Sequence, residues 1–145
     1  MMTPSIVVHA EPLPKEQLYQ KLELGQRGLS KKAFDIAFSG FEKLLAHGKL
    51  MNSAVLSIVD FSLPSTQKRL FVINVITQEL IFYDYVAHGK NSGAAVAKNF
   101  SNKINSLKSS LGFFVTKNTY NGKNGLSLAL DGKEKGINDH ALARA

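Results

Sequence analysis

Residues 85–93, YVAHGKNSG, place a histidine at the end of an apolar, strand-like run and follow it with glycine, lysine and small polar residues. A histidine in this setting could act as a general base, border a substrate cleft or simply end a strand. The local pattern favours a strand end for His88, because Lys90, Asn91 and Ser92 are ordinary residues of turns. The stretch alone therefore does not establish catalysis.

Other catalytic and ligand-binding patterns are missing from the sequence. The chain contains no cysteine, which excludes disulfides, thiolate metal sites and cysteine nucleophiles from these residues. The four histidines, His9, His47, His88 and His140, are widely separated, so we predict no metal site and no cofactor. No Gly-x-Ser-x-Gly elbow occurs, and neither NGKNG nor HGKNSG has the spacing of a phosphate-binding loop.

The net charge of +7 is concentrated in the second half of the chain. Residues 86–145 carry nine Lys and Arg against three acidic residues, whereas residues 1–85 are almost balanced. A basic half favours an anionic partner such as nucleic acid, a membrane surface or a cell-wall polymer. The lysines are dispersed and no helix gathers them on one face, so we predict no nucleic-acid binding.

The elements that must position these residues are two helices and five strands in a single domain. The first helix is predicted over residues 14–24 and the second from Ser30, its N-cap, to Gly48, with His47 interacting with the helix carboxyl end. Apolar residues at helical spacing give the second helix a core face; they are Phe34, Ala37, Phe38, Phe41, Leu44 and Leu45. No apolar run is long enough for a transmembrane segment.

After Gly48 the pattern changes to period two, which predicts strands over residues 54–61, 68–75, 79–87, 110–120 and 125–132. The segment ITQ predicts a hairpin between the second and third strands. The polar stretch between His88 and Ser110 is a long connection, and such connections are usually functional or mobile. Helices followed by hairpins predict an α+β or mainly β fold.

Several blocks in the second half resemble, in the same order, the murein L,D-transpeptidase catalytic-domain family. They are VAHGKNSG, FSN, SSLGFFVT, the pattern Y-x-G-x-x-G-x-SL-x-L-x-G and the pattern KGIND-x-A-x-x-R. The likeness runs from about Leu56 to Ala145, and the helix from Ser30 resembles the usual lead-in. One block would be weak support, but five in order are specific.

The resemblance implies N-terminal helices packed on a β-sandwich, and a bacterial transferase of the periplasm or cell envelope that acts on peptidoglycan (murein). In such an enzyme a cysteine thiolate attacks a stem peptide at the carbonyl of an L-centred diamino acid and expels D-alanine. An amine from a second stem then resolves the acyl-enzyme into a cross-link, whereas water gives a carboxypeptidase. The basic half suits an anionic wall.

The resemblance also implies which catalytic segments of the family this sequence does not contain. In relatives a His-Gly strand and a Gly-Arg-Ser-x-Gly-Cys-Pro motif follow the segment that ends here at Ala145, so none of the catalytic residues is expected in this chain. We predict an amino-terminal fragment of the domain, from a partial gene, an artificial truncation or a cleaved product, which is inactive as it stands. A naturally inactive relative is the alternative. Exposed sheet edges and apolar surface would then favour self-association.

Substrate-cleft residues are implied only by the resemblance. They are His88, Lys90, Asn91, Ser92, Gly93, Ser109, Ser110 and Gly112. A purely structural role for HGKNSG, in which its glycines hold a turn open, remains the alternative.

The predicted organisation has three parts: a leader over residues 1–13, a helical lead-in over 14–53 and a partial catalytic domain over 54–145. The run TPSIVVHAEP in the leader is either the remnant of an export signal or a short strand or disordered leader. A function from another class, a non-catalytic cell-wall-binding module, competes with the enzyme.

Overall fold

The computed structural model of the chain describes residues 15–144. The predicted leader and its interpretation as part of an export signal lie outside the described residues. The elements are α1 (Lys15–Lys21), α2 (Lys31–Ala46), β1 (Val55–Val59), β2 (Leu70–Asn74), β3 (Glu79–Asp84), β4 (Phe114–Gly122), β5 (Gly125–Gly132) and a 3₁₀ helix (Leu142–Arg144). This content confirms the α+β class.

Helix α2 is capped by the residues that the sequence predicts. At its start, Ser30 Oγ accepts a hydrogen bond from the backbone N–H of Ala33 at 3.1 Å. At its end, His47 Nδ1 lies 2.6 Å from the carbonyl oxygen of Lys43, and Gly48 takes a φ of 64°. A left-handed residue directly after the last turn satisfies the final carbonyls and stops the helix.

The core lies between the helices and the first sheet. Phe34, Phe38 and Phe41 are buried along one face of α2, with ring centroids 5.6 and 6.1 Å apart. Each fully buried side chain of this size contributes about 1.5–3 kcal/mol relative to exposure. Leu45, predicted on the same face, is instead 43% exposed, because the core takes no residue of α2 beyond Phe41.

The first sheet has the antiparallel order β1–β2–β3, and its central strand carries the buried Phe71 and Ile73. The predicted hairpin between β2 and β3 is confirmed. Asn74 Oδ1 accepts hydrogen bonds from the N–H groups of Ile76 and Thr77, at 3.0 and 2.9 Å, and so shapes the turn. This sheet packs against both helices.

The second sheet is a two-stranded hairpin of β4 and β5. Phe113, just before β4, joins it to α2, where the ring packs so closely on Gly40 that an added Cβ would overlap it. Leu126, Leu128 and Leu130 alternate along β5 and so share one face, yet they are 78%, 47% and 40% exposed. The hairpin therefore presents an apolar face that residues 15–144 do not cover.

Two strand boundaries differ from the prediction for a physical reason. The third strand ends at Asp84 rather than residue 87, because the guanidinium of Arg69 donates hydrogen bonds to the carbonyl of Val86. The fourth begins at Phe114 rather than residue 110, because the Asn138 side chain takes the carbonyl of Leu111. Within residues 15–144, no helix combines the length and apolarity needed to cross a membrane.

Candidate functional site

All of the predicted cleft residues lie on the connection between β3 and β4, residues 85–113. The connection contains neither helix nor strand, but it is folded against itself and against the first sheet through side-chain hydrogen bonds. One end is fastened near β2, and the other near the turn that follows β5. Its shape is therefore set by buried polar contacts rather than by a regular ladder.

Arg69, the residue before β2, fastens the start of this connection. It is fully buried, and its guanidinium donates to the carbonyls of Val86, at 3.0 and 2.6 Å, and Leu63, at 3.0 Å. It also stacks over the ring of Phe61 at 4.9 Å. Burial lowers the pKa of Arg69, and the nearby Asp60 carboxylate opposes part of that shift.

His88 is engaged at both ring nitrogens. Nδ1 lies 2.8 Å from Nη2 of Arg69, and a guanidinium can only donate, so Nδ1 must accept. The ring proton therefore sits on Nε2, which faces the carbonyls of Gly93 and Ala94 at 2.9 and 2.8 Å. These contacts select one neutral tautomer and use the lone pair that a general base would need.

Ser92 and Ser109 tie the two arms of the connection together. Ser92 is fully buried, and its Oγ accepts from the N–H of Ser109 at 2.8 Å. Ser109 Oγ in turn accepts from the N–H of Gly89 at 2.9 Å. An added Cβ on Gly89 would lie 2.6 Å from the carbonyl oxygen of Leu107, so only glycine permits this close approach.

Asn91 and Lys90 sit on the outside of the same turn. Asn91 donates its backbone N–H to Leu107 at 2.8 Å and its side-chain amide to the carbonyl of Ser106 at 3.0 Å. Lys90 is exposed and makes no ion pair with any residue in 15–144. Lys90 is therefore the candidate whose functional group stays open to solvent.

Arg144, in the 3₁₀ helix, holds the far arm. Its Nη1 donates to the carbonyl of Ser101 and to Ser110 Oγ, both at 2.6 Å. Its Nη2 donates to Ser106 Oγ at 3.1 Å and to the carbonyl of Lys108. Ser110 is thereby joined to the last turn of the described chain rather than to His88.

Gly112 lies apart from the other candidates. It adjoins the side chains of Glu134 and Asn138, at the entrance to β4. Asn138 is fully buried, donates to the carbonyls of Leu111 and Phe113, at 3.0 and 2.9 Å, and accepts from the N–H of Glu134 at 2.9 Å. The structure thus joins His88, Ser92, Gly93 and Ser109 in one network and leaves Gly112 outside it.

The residues that organise the site were not singled out by sequence reasoning. Arg69 shares the period-two face of Phe71, Ile73 and Val75, all buried, so its burial was visible in the pattern. Asn138 and Arg144 belong to the block KGIND-x-A-x-x-R, which carries the family resemblance. Two signals in the sequence could therefore have pointed to these residues. One is an arginine on the buried face of a strand, and the other is a pair of polar residues within a block that relatives share.

The acidic side chains of the basic half are all engaged within the chain. Lys133 Nζ lies 2.6 Å from Asp131 Oδ2, and this hydrogen bond lowers the pKa of Asp131. Asn102 donates to Asp139 at 2.7 Å and lowers the pKa of that carboxyl. Glu134 accepts a backbone N–H. These contacts leave no acidic side chain of this half without an internal partner.

Most of the lysines in this half keep their charge unpaired. Within residues 15–144, six of them make no ion pair: Lys90, Lys98, Lys103, Lys108, Lys123 and Lys135. Four of these lie on the connection between β3 and β4. The surface around the candidate site is consequently cationic and suited to an anionic partner.

The arrangement holds no nucleophile of the thiol class, since the sequence contains no cysteine. Across the described part of the chain, no three His, Asp or Glu side chains are grouped so that they could hold a metal ion. These residues form a hydrogen-bonded polar turn, and beside it lie several lysines that make no ion pair within residues 15–144. That combination can bind and orient an anionic ligand.

Comparison with known families agrees with the sequence blocks. The family model described as the L,D-transpeptidase catalytic domain matches residues 25–145. Searches of curated proteins and of solved structures returned no significant match. The matched range covers most of the chain, including α2, both sheets and the whole network around His88. The chain therefore belongs to the L,D-transpeptidase catalytic-domain family.

Proposed function

We propose that these residues form the peptidoglycan-binding part of an L,D-transpeptidase, and that they hold stem peptides without forming an acyl-enzyme. The observation that carries the proposal is the family match over residues 25–145 in a chain without cysteine. In a complete domain of this family, a thiolate adds to the stem-peptide carbonyl and the C–N bond to D-alanine breaks. A thiol is required for that step, and these 145 residues supply none.

The proposed stem-peptide contact is the outer side of the His88 network. Lys90 and Asn91 meet the ligand, while His88, Ser92, Gly93 and Ser109 hold the turn in place. The interlocked hydrogen bonds of that turn support this division, because a site needs a first layer of residues whose positions are locked by others. We assign Ser110 and Gly112 to the same ligand as further contacts on the approach to β4, although their own partners, Arg144 for Ser110 and Glu134 and Asn138 for Gly112, lie outside the His88 network.

The finer architecture and location are part of the same proposal. We infer that the two sheets are the facing layers of a β-sandwich, that residues 14–53 are its helical lead-in, and that residues 54–145 are part of the catalytic domain. The close packing of Phe113 on Gly40 supports a shared body for α2 and the second sheet. A bacterial cell-envelope location, reached by export, follows from the substrate.

The chain is expected to bind purified peptidoglycan sacculi in a salt-dependent way. Retention at about 0.1 M salt should be largely lost at about 1 M, where screening acts within about 3 Å. A variant with Lys90, Lys98 and Lys103 changed to Gln should be retained less. Its matched control changes Lys32, Lys43 and Lys49, which removes the same charge from the other half. Co-sedimentation measures both.

Equal retention of the two triple variants would contradict a localised binding face and indicate only a net-charge effect. Retardation of an oligonucleotide at low salt, as strong as sacculus binding, would favour the nucleic-acid function instead. Salt-sensitive sacculus binding without such retardation is the expected pair of results.

A non-catalytic cell-wall-binding module is the second candidate function, favoured by the unpaired lysines on the connection. The downstream reading frame discriminates the two. A continuation into a His-Gly strand and a Ser-x-Gly-Cys motif would support the acyltransferase. A stop codon after codon 145 would support the module.

We further propose that the apolar face of β5 drives self-association of these residues on their own. Leu126, Leu128 and Leu130 together expose a contiguous stripe, and such faces are usually covered in soluble proteins. Sedimentation should show a weight-average mass that rises with concentration. Changing the three leucines to serine should abolish the rise, whereas Ile76→Ser, at a 65% exposed site elsewhere, should not. A monodisperse wild-type monomer would contradict the proposal.

A further inference from the structure

A second cationic feature lies on the same connection, in a hollow of about 350 Å³. Its walls are apolar at Ile104, Leu107 and Ala143 and polar at Asn105, Lys108 and Arg144, and Gly89 completes the lining. This volume is at the low end of ligand-binding pockets, which suits a small ligand or the end of a peptide.

The two cations of the hollow have no counter-ion within residues 15–144. The four hydrogen bonds of the Arg144 guanidinium go to neutral carbonyl and hydroxyl oxygens. The Lys108 ammonium makes neither a hydrogen bond nor an ion pair there, although Lys108 is half-buried while Lys90, Lys98 and Lys103 are exposed. Two uncompensated positive charges on one concave wall attract an anion.

The hydrogen-bonding groups left free in the hollow suit an anion. Both terminal nitrogens of Arg144 are occupied, so its Nε–H is the donor that remains. The Lys108 ammonium adds three more N–H groups, and the side-chain amide of Asn105 adds two. Hydrogen bonds from cationic donors to a carboxylate are about twice as strong as neutral ones.

The apolar wall is held in an unusual backbone conformation. Asn105 and Leu107 have φ values of 60° and 58°, in the left-handed region that a branched residue such as leucine seldom adopts. Bonds on both sides maintain it, because Asn91 donates to the Leu107 carbonyl and Arg144 to Ser106 and Lys108. Ile104 and Leu107 each stay 56% exposed at the rim, next to the cations.

We propose that this hollow binds the terminal carboxylate of a peptide whose last residue has a small aliphatic side chain. The carboxylate lies between Lys108 and Arg144, and the aliphatic group contacts Ile104 and Leu107. The inference rests on the proposed function for its ligand, a stem peptide, and adds a subsite beside the His88 network, with which the hollow shares Gly89.

The test is a backbone amide NMR titration of the full chain with N-acetyl-D-alanine and, separately, with its neutral carboxamide. The carboxylate should produce saturable shifts at residues 104–108 and 143–144, and the carboxamide should not. Lys108→Gln should weaken the affinity about tenfold, the range of one charged hydrogen bond. Lys123→Gln removes the same charge from the exposed turn between β4 and β5 and should change the affinity less than about twofold.

A second variant tests the apolar rim of the hollow. Ile104→Glu places a carboxylate at the exposed rim and should abolish binding while the spectrum stays dispersed. Equal effects of Lys123→Gln and Lys108→Gln, or equal binding of acid and carboxamide, would overturn the inference. So would equal affinity for inorganic phosphate. Sacculus retention without carboxylate binding would overturn this subsite alone, and carboxylate binding without sacculus retention would overturn the proposed function alone.

Discussion

Replacing Arg69 with methionine is expected to lower the free energy of unfolding by about 3–5 kcal/mol, because it removes a fully buried donor group from three partly buried acceptors. Those acceptors are the carbonyls of Leu63 and Val86 and Nδ1 of His88. Methionine fills much of the space of the aliphatic stem, so the loss reports hydrogen bonding more than cavity formation. Loss of this size would be a large share of the stability of a small domain.

Urea denaturation followed by circular dichroism measures this loss. Lys68→Met is the matched control, because the neighbouring lysine is exposed and should change stability by less than about 0.5 kcal/mol. Arg69→Lys should rescue little, since one ammonium cannot reproduce the planar fork that serves three separate acceptors. A loss of less than about 1 kcal/mol for Arg69→Met would contradict the role assigned to this side chain.

Replacing Asn138 with leucine is expected to cost about 3 kcal/mol, since it leaves one carbonyl and one N–H without partners around a fully buried side chain and removes one of two hydrogen bonds to a second carbonyl. The unpaired carbonyl belongs to Leu111 and the N–H to Glu134, whereas the carbonyl of Phe113 keeps the N–H of Lys133 at 3.0 Å. Leucine has the same branched arrangement of heavy atoms, but its methyl groups are bulkier, so tighter packing at this buried site adds to the loss. The entrance to β4 should loosen, and amide exchange of residues 111–115 should accelerate.

Asn121→Leu is the control for that substitution, because Asn121 is exposed on β4 and the same change there removes no buried hydrogen bond. It should leave stability within about 0.5 kcal/mol of the parent. Equal losses for the two variants would show that the buried amide is not what holds the second hairpin to the connection. An unchanged rate of amide hydrogen exchange at residues 111–115 in Asn138→Leu would lead to the same conclusion.

The elements that local sequence determines were predictable. Ser30 and Gly48 mark the ends of α2 through capping chemistry that involves only neighbouring residues. The phenylalanine face and the ITQ hairpin also follow from spacing alone. Each of these depends on contacts within a few residues, which a single sequence records directly.

The interior of the connection between β3 and β4 was not predictable in the same way. Its shape depends on Arg69 reaching His88, nineteen positions away, and on Asn138 reaching Leu111, twenty-seven positions away. No periodicity encodes such pairs, and turn residues such as Ser92 look alike whether they are buried or exposed. The two displaced strand ends have the same cause, because side chains from distant segments take carbonyls that a ladder would use.

The role of His88 follows from this network. The sequence left three interpretations, and the contacts with Arg69, Gly93 and Ala94 favour a residue that fixes the turn over a free base. The same contacts explain why HGKNSG is rich in small residues, since Gly89 and Ser92 lie directly against the backbone of the opposite arm. Whether the turn also meets substrate stays a prediction, tested by sacculus binding.

The central proposal is that these 145 residues, which contain no thiol, bind stem peptides and carry out no acyl transfer by themselves. Incubating the purified chain with muropeptides that end in D-alanine, and following the products by mass spectrometry, tests it directly. The account predicts that every muropeptide keeps its mass while remaining bound. Time-dependent release of D-alanine by these 145 residues, in protein free of other enzymes, would contradict it.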